Sequence, residues 1–600
     1  MEKVRHDLRL SETLSPFGVG AIVDVQGESL IAPDTSWWDK RFAQELSCER
    51  LMARLGAGVL RQPPTHANRS GKDTPALPYW RFPAWRFCER CDKISKLTGK
   101  KKGKWSNACE CGGFLVPMRY VAVCEEGSHI QDINWFKWAH RGRGATSDEV
   151  RFCRDYRSLR FTKLGYRGEG LASLMVKCRG CGNSRTLAEL VTKSALRRDG
   201  IRCDGRQPWE SEGAVEKPCP HDLVAVQRGA TGNYIAESIS ALDIPEERPS
   251  SLEAADRIRG HMFFEKVVAD NGGPRAEQIA TWIAEELNVT PETVLTVAQG
   301  KEDDDADTML LDLKDGEWAA FVKKLESGRD RTGSDFVVDG RSLDGVAGPR
   351  SLLRLISGVG QVRRVREVRA LQGFRRHDAD AAKVNVDLGP DRHRRPTYPA
   401  IELFGEGIFL RFDEARIAEW ETQQAVQARA RILTRRRAGS SWAARLDVPE
   451  PRYVALHTLA HLLIRRLAFA SGYASASLQE RIYANSDRAD RTAGILIYTA
   501  AGDAQGTLGG LVRLGEPDKL IPILVSALDD ADFCSNDPVC IESDRQGASQ
   551  LNLSACHGCS LVSETSCETG NRLLDRQLVL GGSDDVRGVL DDVLRETRLS

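Results

Sequence analysis

The sequence predicts an α+β, multi-domain chain: several small zinc-stabilised modules, a helical insertion, and a C-terminal mixed α/β zinc-binding domain. Three observations predict it. Six hundred residues exceed what one hydrophobic core serves and suit about three or four domains. Sixteen cysteines fall largely in clusters. Short strand-like apolar runs alternate with stretches of helical periodicity. A hydrophobic share of 41% and a charged share of 28% are those of an ordinary globular protein. Formal net charge is zero, so any attraction to nucleic acid must come from local patches. No run of about 18 apolar residues occurs, so no membrane span is expected. The N-terminus, Met1-Glu2-Lys3-Val4-Arg5-His6-Asp7, lacks the apolar segment of a signal peptide, and a cytoplasmic location is expected. In a reducing compartment clustered cysteines are thiols or metal ligands rather than disulfides.

Residues 1–87 form the first expected domain. Phe17-Gly18-Val19-Gly20 precedes a buried strand at Ala21 to Val25. With no third glycine in register and no following Gly-Lys-Ser/Thr, close backbone packing is favoured over a nucleotide loop. Residues 88–249 carry two zinc-ribbon-like modules. Cys88-Glu89-Arg90-Cys91 and Cys109-Glu110-Cys111 supply two close thiolate pairs, enough for one tetrahedral ion. Between them Lys100, Lys101, Lys102 and Lys104 lead to Trp105, a solvated loop or a phosphate-contacting tip. Cys178 and Cys181, followed by single Cys203 and Cys219, read as a looser variant, with His221 close behind. A metalloenzyme would need His129, Asp132 and His140 to converge; hydrogen-bonded core histidines beside packed tryptophans are favoured.

Residues 250–345 read as the helical insertion. Apolar spacing over 277–287 predicts one helix, and Thr290-Pro291 caps and starts another. The acidic run Glu302 to Asp307 lacks the glycine and distal glutamate of a calcium loop, so a solvated linker is favoured. Residues 346–448 form a basic linking domain. From Arg350 to Arg395 twelve Lys/Arg face five Asp/Glu, and Arg363, Arg364, Arg366, Arg375 and Arg376 are the candidate nucleic-acid contacts; a solvated face or a surface for an acidic protein is the alternative. Residues 449–600 form the last domain. Tyr453 to Phe469 predicts an apolar helix that sets His457 and His461 on one face, and residues 494–499 a buried strand. Without the glutamate of a His-Glu-x-x-His pattern, buried hydrogen-bonded histidines are favoured over zinc ligands.

The series Leu456-His457-Thr458-Leu459-Ala460-His461, Glu480-Arg481-Ile482-Tyr483, Ile497-Tyr498-Thr499, Gly506-Thr507-Leu508-Gly509-Gly510-Leu511, Asp537-Pro538-Val539-Cys540, Ala555-Cys556-His557-Gly558-Cys559 and Glu564-Thr565-Ser566-Cys567 resembles the MrfA-type zinc-binding (MZB) domain. With Phe17-Gly18-Val19-Gly20 and no fused helicase, nearly the whole chain resembles the DrmB family of the DISARM anti-phage system. That resemblance implies Zn2+ at Cys540, Cys556, Cys559 and Cys567, with Cys534 just outside the four. It also implies a heterodimer with a DrmA-type superfamily 2 helicase, engaging phage DNA within the complex. Three closed cysteine clusters, which lack the open position that zinc catalysis needs, favour a non-catalytic subunit. The competing readings are a metal-dependent nuclease or hydrolase, and a scaffold without DNA contact.

Overall fold

The computed structural model describes residues 6, 8–64, 77–97, 107–140, 153, 155–164, 170–210, 219–244, 258, 261–270, 273–287, 289–298, 313–328, 335–386, 388–389, 395–440, 442–486, 491–499, 509–547, 549–582 and 585–599. The lysine loop 100–104, the acidic run 302–307 and residues 506–508 of the glycine run lie outside these. The chain divides into two compact units: residues 1–47, 57–240 and 368–403, and residues 48–56, 241–367 and 404–600.

The first unit includes four small antiparallel sheets. Ile22–Val25 and Glu28–Ile31 form a hairpin, paired Ile22 to Ile31 and Val25 to Glu28. Its two-residue turn takes Gln26 and Gly27 to positive φ (50° and 78°), the twist that right-handed strands require. Gly18 and Gly20 serve close packing. A Cβ on Gly18 would stand 2.1 Å from the Leu14 carbonyl oxygen, and one on Gly20 2.4 Å from the Phe374 ring. A second sheet centres on Trp85–Cys88, flanked by Ile94–Lys96 and Leu115–Pro117. A third centres on Tyr120–Cys124, flanked by Ile130–Gln131 and Leu223–Gln227. All five residues of Tyr120–Cys124 are buried, as a central strand of apolar residues should be. The fourth joins Leu159–Lys163, Leu174–Cys178 and Ser184–Thr186. Trp85, Tyr120, Trp135, Trp138 and Leu223 are among the residues of the shared core, and the Arg185 guanidinium lies 3.7 Å over the Trp138 ring.

The second unit is built round the helix Pro451–Ser471. Proline occupies its first turn, and Gly472 ends it in the left-handed conformation at φ 76°. Fifteen of its 21 residues are buried, so it is a core helix wetted mainly at its C-terminal end. It packs on the strands Leu478–Tyr483 and Gly494–Thr499 and on the helix Pro517–Asp532. Those strands pair antiparallel, and Gly494–Tyr498 pairs in turn with Gly407–Arg411. Within residues 250–345 the helices Phe264–Ala269, Pro274–Leu287, Pro291–Ala298 and Leu313–Ser327 form. The hydroxyl of Thr290 accepts from the Thr293 amide at 3.2 Å, the cap that its position before Pro291 predicts. Glu317 of the last of these helices is fully buried. Its carboxylate accepts from Arg481, Tyr483 and the Leu242 amide, at 2.5 to 3.0 Å. Among the described residues no helix is long and apolar enough to cross a membrane.

Candidate metal centres

Four sulfurs bound about 2.3 Å from a tetrahedral zinc stand roughly 3.8 Å apart, and a sulfur and an imidazole nitrogen roughly 3.6 Å apart.

Cys88 ends the strand Trp85–Cys88, and the tight turn after it returns Cys91; a second turn at 109–112 brings in Cys109 and Cys111. The Cys88 and Cys111 sulfurs are 3.5 Å apart, and those of Cys91 and Cys109 3.6 Å. Burial alone would raise the Cys88 thiol, but the Cys91 and Arg90 amides donate to its sulfur and bring it down to about 7. These are the four residues that the spacing singled out.

The second expected set, Cys178, Cys181, Cys203 and Cys219, is corrected: the four separate into two pairs with different partners. Cys203 and Cys219 join Cys124 and His129. Pairing of Leu223 with Cys124 carries Cys219 to the end of the central strand. Gln131 fixes the 203 loop by accepting from the Asp204 amide at 2.8 Å and donating to the Arg202 carbonyl at 3.1 Å. The Cys124 and Cys219 sulfurs are then 3.8 Å apart, and Cys203 Sγ is 3.5 Å from His129 Nδ1. The Cys203 thiol and His129 beside it hold Cys124 down at about 3, so the set already favours a thiolate.

Cys178 and Cys181 join His140 and Cys153. The knuckle follows the strand Leu174–Cys178, and His140 closes the short helix Trp135–His140. His140 Nδ1 donates to the Phe136 carbonyl at 2.8 Å, which leaves Nε2 to face Cys181 Sγ at 3.2 Å. Cys153 and Cys178 are 3.8 Å apart. This set lies wholly inside the sequence span of the Cys124 set. His129 and His140 therefore do not converge on one ion. Asp132 is spent on the Ala84 and Trp85 amides at 3.1 and 3.2 Å. His221 pairs with Glu126 at 3.0 Å.

The C-terminal set is also corrected by one residue: Cys534, not Cys567, joins Cys540, Cys556 and Cys559. Asp537 folds the first two into one turn, accepting from the Cys534 and Ile541 amides at 3.0 Å each and from Arg576 at 2.7 Å. Sulfur separations are 3.4 Å for Cys534 and Cys556, 3.8 Å for Cys540 and Cys559, and 3.9 Å for Cys556 and Cys559. Asn536, Gln546 and Ser560 donate to Cys556, Cys540 and Cys559 at 3.3 to 3.4 Å. The Cys540 thiol in turn helps to hold Cys559 at about 4. Cys567 lies instead against the helix Pro451–Ser471, with its sulfur 3.2 Å from His457 Nε2.

The candidate nucleic-acid arginines do not form one surface. Arg376 is fully buried and donates to the carbonyls of Gly20 and Asn233 at 2.6 and 2.7 Å. Arg375 is buried against Glu237 and the Ala381 carbonyl, and Arg366 pairs with Asp243 at 2.5 Å. These three belong to the interior, where their charge is spent on internal partners. Arg363 and Arg364 alone reach solvent, each with a side chain 48% exposed, paired with Asp339 and Asp335 at 3.0 Å. The pairing of Val337 with Arg364 but Val338 with Val362 makes Arg363 an extra residue in the ladder, and this bulge turns two successive arginines outward.

Known proteins bear on these sites. A domain family of unknown function (DUF8724) matches residues 9–235, and the MrfA Zn-binding domain matches residues 459–560. The chain is 30% identical over 606 residues to the DISARM protein DrmB of Bacillus paralicheniformis, an alignment spanning 93% of this chain and 97% of that protein. With a zinc-binding domain matched and four sulfur-rich sets spaced as zinc requires, the chain is a zinc-binding protein.

Proposed function

The chain belongs to the DrmB family of DISARM proteins, and from that membership we propose that it is a zinc-stabilised, non-catalytic subunit of a cytoplasmic anti-phage complex, partnering a superfamily 2 helicase and helping to hold phage DNA. The observation that carries the non-catalytic reading is saturation. Each sulfur-rich set supplies four protein donors, which leaves a tetrahedral zinc no position for water or substrate. Zinc held in this way fixes backbone; it does not generate a nucleophile.

Two features support contact roles. Phe533 and Val539, each immediately before a cysteine of the C-terminal set, are 75% and 77% exposed. An apolar side chain on a metal-fixed turn is offered to a partner with little ordering cost. Arg363 and Arg364 offer phosphate-binding groups, because both guanidinium side chains are half exposed and the carboxylate beside Arg364, that of Asp335, is itself at the surface, where phosphate can replace it.

Co-expression with the helicase tests the reading. Phe533→Asp with Val539→Asp is expected to abolish co-purification while zinc content stays constant; retained co-purification would remove this surface. Arg363→Gln with Arg364→Gln is expected to reduce the slope of log affinity for DNA against log salt by about 1.8, two phosphate contacts' worth. An unchanged slope would exclude the pair. Hydrolysis of ATP or DNA by the purified chain alone would overturn the non-catalytic reading.

A further inference from the structure

Cys567, left over from the C-terminal cysteine set, stands in a buried polar cluster of the second unit. Around it gather His457 and His461 from the helix Pro451–Ser471 and Glu480 from the strand Leu478–Tyr483. Their donor atoms all lie within 4.8 Å of one another. His457 Nε2 is 3.2 Å from Cys567 Sγ and 2.9 Å from Glu480 Oε1, and His461 Nε2 is 3.4 Å from the same oxygen. Both histidines are fully buried, and Glu480 and Cys567 are 3% and 8% exposed.

The hydrogen bonds at the back of each group decide how it faces the centre. His461 Nδ1 lies 2.9 Å from the Ser560 carbonyl and His457 Nδ1 3.3 Å from that of Leu573. A carbonyl only accepts, so both Nδ1 atoms carry hydrogen and, in the neutral rings, both Nε2 lone pairs point inward. Asn571 donates its amide to Cys567 Sγ at 3.2 Å, as backbone does for a thiolate. The Glu568 amide donates to Glu480 Oε1 at 3.3 Å. At the centre itself, His461 Nε2 and Glu480 Oε2 have no hydrogen-bond partner, although both are buried. Two lone pairs, a carboxylate and a sulfur turned towards one point repel one another unless a cation sits among them.

We propose that His457, His461, Glu480 and Cys567 bind a further zinc ion, closed on all sides, in addition to those of the four sulfur-rich sets. Two imidazoles, one carboxylate and one thiolate form a borderline-soft, four-donor set suited to zinc, and the sulfur-to-nitrogen distance of 3.2 Å equals that between Cys181 and His140. The matched MrfA Zn-binding segment starts after His457 and ends before Cys567, so it includes only part of this set. The ion would tie together the helix, the strand and the chain after the C-terminal cysteine knuckle. The competing arrangement is an imidazolium of His457 paired with Glu480, with no metal.

Metal analysis of the full-length protein, purified without chelator, distinguishes them. Five zinc ions per chain are expected, falling to four in Cys567→Ser and in Glu480→Gln. Four in the wild type, or an unchanged five in a folded variant, would overturn the proposal. Should neither variant fold, zinc-edge X-ray absorption of the wild type decides. Nitrogen or oxygen donors in excess of the two supplied by His129 and His140 support the site; no excess refutes it.

Discussion

Replacing Cys124 or Cys153 by serine tests how the cysteines of the first unit are shared out. In the structure Cys124 completes the set with His129, Cys203 and Cys219, and Cys153 the set with His140, Cys178 and Cys181. Under the linear grouping of Cys178, Cys181, Cys203 and Cys219 neither residue is a ligand. Each single variant is therefore expected to hold one zinc fewer than the wild type, and the double variant two fewer. The energetic scale explains the whole-number loss. Structural zinc binds with about 10–16 kcal/mol in finger peptides, comparable with the roughly 5–15 kcal/mol that stabilises a whole domain. A set reduced to three donors is expected to lose its ion together with the fold around it. For Cys124 the local consequence is loss of order at the end of the central strand Tyr120–Cys124, read as faster hydrogen exchange at Val121 and Val123. The assay is zinc per chain on gel-filtered protein, with hydrogen exchange on the same samples. A single variant with wild-type zinc content, or a double variant that loses only one ion, would refute the grouping.

Two further predictions concern charge buried away from the metals. Glu317→Leu leaves Arg481, 5% exposed, without its carboxylate, and should lower stability by about 3–5 kcal/mol; Glu317→Leu with Arg481→Met should recover most of that loss. Thermal or denaturant unfolding checks both, and equal losses in the single and double variants would refute the expected recovery. Arg376→Gln removes donors from the Gly20 and Asn233 carbonyls and should cost about 2–4 kcal/mol, whereas Arg364→Gln at the surface should cost less than about 0.5 kcal/mol. Similar midpoints for the two variants would contradict the burial difference.

What the sequence made legible follows the range of the signal. A thiolate pair two residues apart and a second pair soon after are local features, and Cys88, Cys91, Cys109 and Cys111 were readable as one site. So were the strand at 120–124, the helix expected over 453–469 and found over 451–471, and the Thr290 cap, each set by neighbours within a few residues. Partners chosen by sheet pairing were not. Cys219 meets Cys124 because Leu223 pairs with it, and no spacing rule connects residues 95 positions apart. His129 and His140 resembled core histidines because tryptophans lie close to them in the sequence; His140 is indeed fully buried and His129 half-buried, and such enclosure is equally what a closed metal site requires. One signal could have found the Cys124 set: a lone cysteine ending an apolar strand, with a histidine five residues on. The arginine run misled for the opposite reason. Charge in the sequence shows nothing of the carbonyls and carboxylates that take Arg366, Arg375 and Arg376 inside.

The two metal sets of the first unit that include histidine are related like brackets within brackets. His140, Cys153, Cys178 and Cys181 are enclosed in the sequence between the two halves of the other set, Cys124 with His129 and Cys203 with Cys219. This ordering bears on assembly. The inner span of 41 residues closes with about 0.7 kcal/mol less entropy loss than the outer span of 95, which favours capture of the inner ion first. Cys178, Cys181 and Cys203 are nevertheless close enough along an unfolded chain to seize an ion together, and such a knot must release its metal before either bracket can close. Surplus zinc therefore works against refolding of this unit, and a slow metal donor, such as a zinc-loaded weak chelator, is the condition under which it should recover best.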